Sequence, residues 1–337
     1  MKTLVLSHKH YLAPLAWRLS REGAETTLLV TKKRYQRAWE GRLPKPLSGR
    51  DIPLDDLDLK PWVEAALTGD TQVLTDLTQV PHSDFGAAPN LFFTLKTEAP
   101  TRDNYSLVLG GWFNGSWHLP HWYVPDWGLF PGGTGPEVVA GGAVLRGRAY
   151  PTDILEQLTE PLSQVGFRGL VGAGVRYNET SGKLEPTGHF HAGWDDWLHW
   201  ELALCELPSW TSLLEGSSQT EGPTNDLPPY TVGVVVSQPP WPSVGHPVPA
   251  QVELALAPQI TKNTFFHDIC VEEGRVLTAG TDGLVGVARG VGRSLDRARG
   301  QALATVGGLV FRERQVRLDV GAQVPGVVVG LEELGWW

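Results

Sequence analysis

Residues 230–242 read YTVGVVVSQPPWP, residues 274–303 read GRVLTAGTDGLVGVARGVGRSLDRARGQAL, and residues 314–322 read RQVRLDVGA. The first run clusters β-branched residues and stops at Pro-Pro-Trp-Pro, the pattern of a strand entering a turn. Gly280 and Gly283 bracket a tight loop ahead of a short apolar strand over 284–288. Ser294 opens a helix to about 303, with Asp296 in the first turn, where an acidic side chain faces the positive end of the helix. Strand, proline breaker, glycine loop, strand and helix in this order predict a β-rich α/β unit closing the chain.

Composition bounds the remainder. A chain of 337 residues is long enough for two or three domains and a substantial core. Charged residues are 19%, below the usual quarter, while 39 Gly and 26 Pro predict many turns rather than a helical bundle. The net charge is -9 and no basic run exceeds Lys32-Lys33-Arg34, which argues against a nucleic-acid groove. A small anionic metabolite remains possible, since one Arg or a helix N-terminus suffices to hold it. Cys205 and Cys270 stand outside any CxxC pair, so two buried thiols are expected rather than a disulfide framework or structural zinc. The N-terminus lacks an uninterrupted apolar core before a cleavage site, and no window approaches 18 apolar residues. A reducing, cytoplasmic location without membrane contact is the resulting expectation. Trp112, Trp117, Trp122 and Trp127, and then Trp194, Trp197 and Trp200, read as packing residues, because a base-stacking platform needs basic side chains between the rings.

At the other end, 3–6 reads as a short apolar strand, 12–22 has helical spacing (Leu12, Leu15, Ala16, Leu19), and 25–30 returns as a second strand, a βαβ half. Residues 50–62, RDIPLDDLDLKPW, read as an acidic connector, and 62–67 as a short helix. Asn114-Gly115 within YSLVLGGWFNGSW (105–117) marks a hairpin, because both residues tolerate positive φ. Residues 154–165 carry helical spacing, and 167–190 reads as two strands joined by a turn at 178–182.

These pieces together resemble the phosphoribosylamine–glycine ligase (glycinamide ribonucleotide synthetase) family of the ATP-grasp superfamily. The family's C-terminal domain runs through a valine-rich strand ending at prolines, a Gly-Gly-Arg-Val-Leu-like loop, an Ala/Arg-rich helix and Arg-x-Asp-Ile-Gly. The last motif stands here as Arg317, Asp319, Val320 and Gly321. The resemblance implies an α/β fold in four segments. These are a βαβ unit (1–50), a connector with a reduced ATP lobe (51–100), an ATP-grasp-like antiparallel core (101–217) and a C-terminal domain (218–337). It also implies an ATP- and Mg²⁺-dependent carboxylate–amine ligase of purine or nucleotide metabolism, acting on an amino acid such as glycine and a phosphorylated amine.

Site residues follow from the same resemblance. The strand NLFFTLK (90–96) makes Lys96 the nucleotide lysine, with a surface lysine as the plainer alternative. The loop FPGGTGPEVVAGG places Gly135, Pro136, Gly141 and Gly142 against the substrates, although Glu137-Val138-Val139 replaces the family's polar centre. Glu185 and Thr187, two apart on one strand face, take the Mg²⁺ positions, His189 takes the place of an arginine, and Asp195 or Asp196 supplies the second acid. The departures are chemically important. Ser7-His8-Lys9-His10 replaces a glycine-rich phosphate turn, and the flexible flap is missing. A degenerate relative that binds a ligand or partner is therefore the alternative. A second alternative is a metal held by His118, His121, His189 and His191, whose spacings of three and two bring imidazoles together.

Overall fold

A computed structural model describes residues 1–40, 60–68, 71–77, 90–95, 97, 101–216, 227–243 and 246–337. The chain opens with β1 (Lys2–Ser7), α1 (Ala13–Arg21) and β2 (Glu25–Val30), the βαβ unit read from the sequence. Pro14 sits in the first turn of α1, where its missing N–H costs nothing, and Leu15, Ala16 and Leu19 are buried. Next come α2 (Lys60–Leu67), β3 (Thr71–Thr75) and β4 (Leu91–Phe92). Strands β2-β1-β3-β4 form one parallel sheet, so residues from the connector region complete the N-terminal sheet.

The second sheet begins with β5 (Val108–Phe113), β6 (Trp117–Trp127) and β7 (Val139–Leu145). After α3 (Thr152–Glu156) and α4 (Thr159–Gln164) it continues through the hairpin β8 (Gly169–Asn178) and β9 (Lys183–Ala192). Helices α5 (Trp197–Leu204) and α6 (Trp210–Leu214) precede β10 (Tyr230–Ser237), β11 (Ala255–Leu256), β12 (Thr264–Phe266), β13 (Ile269–Glu272), β14 (Arg275–Thr278) and β15 (Leu284–Gly292). The chain closes with α7 (Leu295–Gly307), β16 (Leu309–Val310), β17 (Gln315–Val316) and α8 (Val324–Glu333). The order β12-β15-β10-β7-β6-β5-β8-β9 is antiparallel throughout, with β17 also paired to β10. Because β10 pairs with β7 on one side and β15 on the other, the C-terminal third extends the central sheet. The architecture is mixed α/β with an antiparallel core, as expected.

The single helix expected over 154–165 is two short ones. Pro161 has no N–H to offer the preceding turn, so the chain breaks at Gln157-Leu158 and restarts with Pro161 in the first turn of α4. Ser294 caps α7 as read, accepting from the Arg297 N–H at 3.3 Å. Cys205 and Cys270 are both free and buried. Trp112, Trp122, Trp194, Trp200 and Trp210 are core residues. Among the described residues, no helix is long and apolar enough to cross a membrane.

Arg317 fastens the C-terminal segment to β6. Its guanidinium donates to the Trp127 carbonyl at 2.6 Å and to Asp319 Oδ1 at 2.8 Å, and lies 3.8 Å from Asp126. Asp319 in turn accepts from the Gly132 N–H at 2.8 Å, and Asp126 accepts from the Gly321 N–H at 2.7 Å. Arg317 and Asp126 are both buried, so removing the cation strands a desolvated carboxylate and the Trp127 and Gly128 carbonyls. Arg317→Leu is expected to destabilise the protein by about 3–5 kcal/mol, read as a lowered denaturant midpoint.

Candidate functional site

A cleft of about 330 Å³ opens between the parallel sheet and the antiparallel one. From the N-terminal side it receives Lys9 and Tyr11, in the turn after β1, and Arg34 and Tyr35, just past β2. These are the carboxyl ends of parallel strands, where open α/β sheets place ligands. From the other side come Trp127, Asp195, Asp196, Trp197, Trp241 and Asp282. Lys9 Nζ lies 5.0 Å from the Tyr11 ring centre, and Arg34 donates through Nε to the Thr281 carbonyl at 2.7 Å. Tyr11 Oη donates to Asp282 Oδ2 at 3.2 Å, tying the two sides together.

The turn Ser7-His8-Lys9-His10 is only partly solvated. His10 is buried and lies 3.6 Å from Asp282. Ser7 Oγ and the His8 N–H both donate to the Asp76 carboxylate, at 2.5 and 2.7 Å. An internal carboxylate therefore takes the donors that a glycine-rich turn offers to phosphate. Burial, relieved in part by these hydrogen bonds, pushes Asp76 up to about 6.

Deeper in, three imidazoles meet under the sheet. His121 Nε2 is 2.7 Å from His199 Nε2, and His199 Nδ1 is 3.1 Å from His191 Nε2. His121 Nδ1 lies 2.8 Å from the Leu119 carbonyl, and His199 stacks on Tyr123 with ring centres 4.4 Å apart. The Tyr105 hydroxyl contacts His191 Nδ1 and donates to Asp196 Oδ2 at 3.0 Å. Two strand glycines leave the room. A Cβ on Gly110 would collide with His121 and His199, and one on Gly172 with His191. Asp196 is the N-cap of α5, its carboxylate accepting from the His199 N–H at 3.2 Å. Desolvation holds His121 and His191 down at about 3 and His199 well below its usual value, so all three rings are neutral. Desolvation at the inner end of the cleft likewise raises Asp196 to about 7.

Of the residues assigned from sequence, Asp195 lines the cleft. Gly135 and Pro136 lie in the loop before Val138 and Val139, which line it, whereas Gly141 and Gly142 pair within β7 against β10 and β6. His189 is buried on β9, its ring 5.2 Å from Tyr105. Glu185 accepts from Asn178 Nδ2 at 2.8 Å and Ser181 Oγ at 2.9 Å, closing the β8–β9 turn, and these bonds hold its carboxyl below the usual range. Thr187 Oγ1 donates to the Asn104 carbonyl at 2.9 Å. Neither residue is among those lining the cleft. Lys96 lies outside the described residues. The four-histidine set does not assemble: His118 stays at the hairpin, 3.0 Å from Asn114 Oδ1, and the cluster forms instead around His199.

His199 was missed by sequence reasoning, as were Tyr105, Asp76, Asp282 and the pair Glu201–His267. A signal existed in WLHWELAL (197–204), an otherwise apolar run carrying a His and a Glu. In a helix buried on every side such residues must be answered by neighbours. Glu201 and His267 are both fully buried, with Glu201 Oε1 2.7 Å from His267 Nε2. Burial pushes Glu201 well above the carboxyl range and His267 down to about 3, which makes this a neutral pair. The folded protein thus binds the Glu201 proton more tightly than the unfolded chain does. That contribution is full below about pH 4.3 and shrinks as pH rises. Glu201→Gln keeps the shape and a donor, so its stability relative to the wild type is expected to improve from pH 4.5 to 7.5, read from urea midpoints.

The sequence matches no protein-family model and no curated protein. The fold does have counterparts among solved structures. One is phosphoribosylamine–glycine ligase from Thermotoga maritima, 12% identical, covering 95% of this chain and 100% of that one at a TM-score of 0.58. Another is biotin carboxylase from Campylobacter jejuni in a β,γ-ATP complex, 8% identical, covering 93% and 92% at 0.57. A third is urea carboxylase from Kluyveromyces lactis, 10% identical, covering 94% of this chain but 30% of that one at 0.57. The chain has an ATP-grasp fold. At these identities the likeness carries the fold and not the family.

Proposed function

We propose that this protein is an ATP-dependent carboxylate–amine ligase whose substrates meet in the cleft between the two sheets. The observation that carries the reading is the cleft's division of charge. Lys9 and Arg34 enter from the carboxyl ends of the parallel strands, and Asp195 and Asp282 face them from the ATP-grasp core. Such a pairing suits substrates with an anionic group at one end and an amine at the other. The aromatic walls Tyr11, Tyr35, Trp197 and Trp241 shield the charges from water and strengthen their attraction.

In this reaction a carboxylate oxygen attacks the γ-phosphorus of ATP, giving an acyl phosphate and ADP. The amine then attacks the acyl carbon, phosphate leaves, and the amine's surplus proton passes to a base. Lys9 and Arg34 hold the anionic group, while Asp195 and Asp282 orient the amine and stand within the cleft to receive its proton. Asp195 and Asp282 would offer oxygen ligands to a magnesium ion, which would supply neutralisation of the phosphoryl charge. A glycine-like amino acid and a phosphorylated amine, as in purine synthesis, are the substrate pair we favour.

A second reading, a degenerate ligand-binding relative, is favoured by Asp76, which occupies the donors of the turn after β1. Titration calorimetry with Mg-ATP, followed by an ADP-release assay with glycine and amine acceptors, separates the two. Under the ligase reading the wild type binds Mg-ATP and releases ADP only with both substrates present. Lys9→Ala is expected to lower kcat/KM at least tenfold. Glu185→Gln is expected to leave it within twofold, because that side chain serves the hairpin turn. No Mg-ATP binding by the wild type would favour the degenerate reading.

A further inference from the structure

The hydrogen-bond directions around His199 can be worked out atom by atom. The Leu119 carbonyl can only accept, so His121 Nδ1, 2.8 Å away, carries the proton of that neutral ring. His121 Nε2 is then an acceptor, and the atom facing it at 2.7 Å, His199 Nε2, must be the donor. That leaves the lone pair of His199 on Nδ1. On the other side, the Tyr105 hydroxyl gives its proton to the Asp196 carboxylate at 3.0 Å. Its oxygen therefore accepts from His191 Nδ1, which leaves the lone pair of His191 on Nε2. The two lone pairs face each other across 3.1 Å, with nothing between them to accept them.

We infer that His191 Nε2, His199 Nδ1 and the Asp196 carboxylate form a binding site for a divalent transition-metal ion, with zinc as its first candidate. Facing lone pairs repel, and a cation between them turns the repulsion into two coordinate bonds. Zinc–imidazole bonds of about 2.0–2.1 Å require the two nitrogens to lie within roughly 4 Å of one another. The three residues offer ligand atoms within 4.8 Å of one another. Two imidazoles and one carboxylate are a borderline nitrogen–oxygen set, suited to Zn²⁺, Co²⁺ or Fe²⁺ and poorly to Mg²⁺, which takes oxygen ligands.

The outer contacts are those a ligating histidine needs. His199 turns its other nitrogen to His121, which is fixed by Leu119, and His191 turns its other nitrogen to Tyr105, which is fixed by Asp196. Such partners set the tautomer and the ring orientation. The ion has a way in, because His191 and Asp196 also line the cleft and the Asp196 side chain is 13% exposed. Three protein ligands leave a coordination position open toward that cleft. The site is independent of the ligase reading and needs no nucleotide.

The test uses the full chain, stripped with a chelator and titrated with Zn²⁺, Co²⁺ or Mg²⁺ alone. One equivalent of Zn²⁺ should bind, Co²⁺ should give a visible absorption band that Zn²⁺ abolishes, and Mg²⁺ should not compete. His191→Ala should weaken Zn²⁺ binding at least 100-fold. Asp196→Asn, which keeps a capping side chain on α5 and so preserves the helix, should weaken it at least tenfold. His121→Gln, outside the coordination sphere, should cost about 10–100-fold. Failure of the folded wild type to take up Zn²⁺ or Co²⁺ would overturn the inference, since the chain would then close on a proton instead. Uptake unchanged in folded Asp196→Asn and His121→Gln would also overturn it, by placing the ion elsewhere.

Discussion

Helix α5 is buried on every side, and its polar side chains have to be satisfied from inside the fold. Leu198, Leu202 and Leu204 need no partners and Trp200 gives its indole N–H to the Trp194 carbonyl, but His199 and Glu201 remain to be met. A buried polar group without a partner costs on the order of 1–3 kcal/mol, so the neighbouring strands are constrained to supply one. His121 on β6 and His191 on β9 close on His199 from two sides, and His267, just past β12, faces Glu201 across 2.7 Å. The strands between must make room, which is why glycine stands at Gly110 of β5 and Gly172 of β8. The N-cap that starts the helix, Asp196, also lines the cleft together with Trp197 and Leu198. The same residue therefore caps α5 and contributes to the site.

The second constraint is the turn after β1. In a phosphate-binding turn, backbone N–H groups are left for the ligand, and the lack of side chains lets it approach. Here the end of β3 brings Asp76 to that turn, and its carboxylate takes Ser7 Oγ and the His8 N–H. The cation of the turn, Lys9, is turned toward Tyr11 and Tyr35 in the cleft. Under the proposed function, anion recognition at this turn falls to side chains rather than to the backbone. A side-chain ammonium is a point charge on a flexible stem, so it tolerates a wider range of anions than a rigid backbone cradle.

Much of the scaffold was legible in the sequence because it depends on local rules. The Asn114-Gly115 turn, the Ser294 cap, the apolar spacing of α1 and the valine run of β10 each reflect chemistry within a few residues. The site was less legible, because its contacts span long stretches of chain: His121 to His199, Tyr105 to His191, Tyr11 to Asp282. Period two suggested one face for Glu185 and Thr187, yet could not show that Asn178 and Asn104 engage them. The histidines at 121 and 191 drew attention by their close neighbours at 118 and 189, whereas the partner that joins them lies on a helix whose hydrophobic run hid it.

What the cleft does follows from where its charges originate. The cationic side chains belong to the parallel sheet, and the carboxylates and buried imidazoles to the antiparallel core, so neither sheet alone makes a site. The two are joined across the cleft by Tyr11 to Asp282 and by Arg34 to the Thr281 carbonyl, both short contacts between side chains or backbone of different sheets. Under the proposed ligase reading, a substrate bridging the two walls would add to these links and be positioned by them. The acidic wall continues inward through Asp196 and Tyr105 to His191, whose Nε2 faces His199 Nδ1 across 3.1 Å. Charge changes in the cleft are therefore felt by the imidazole cluster, and any cation held there acts back on the same wall through Asp196.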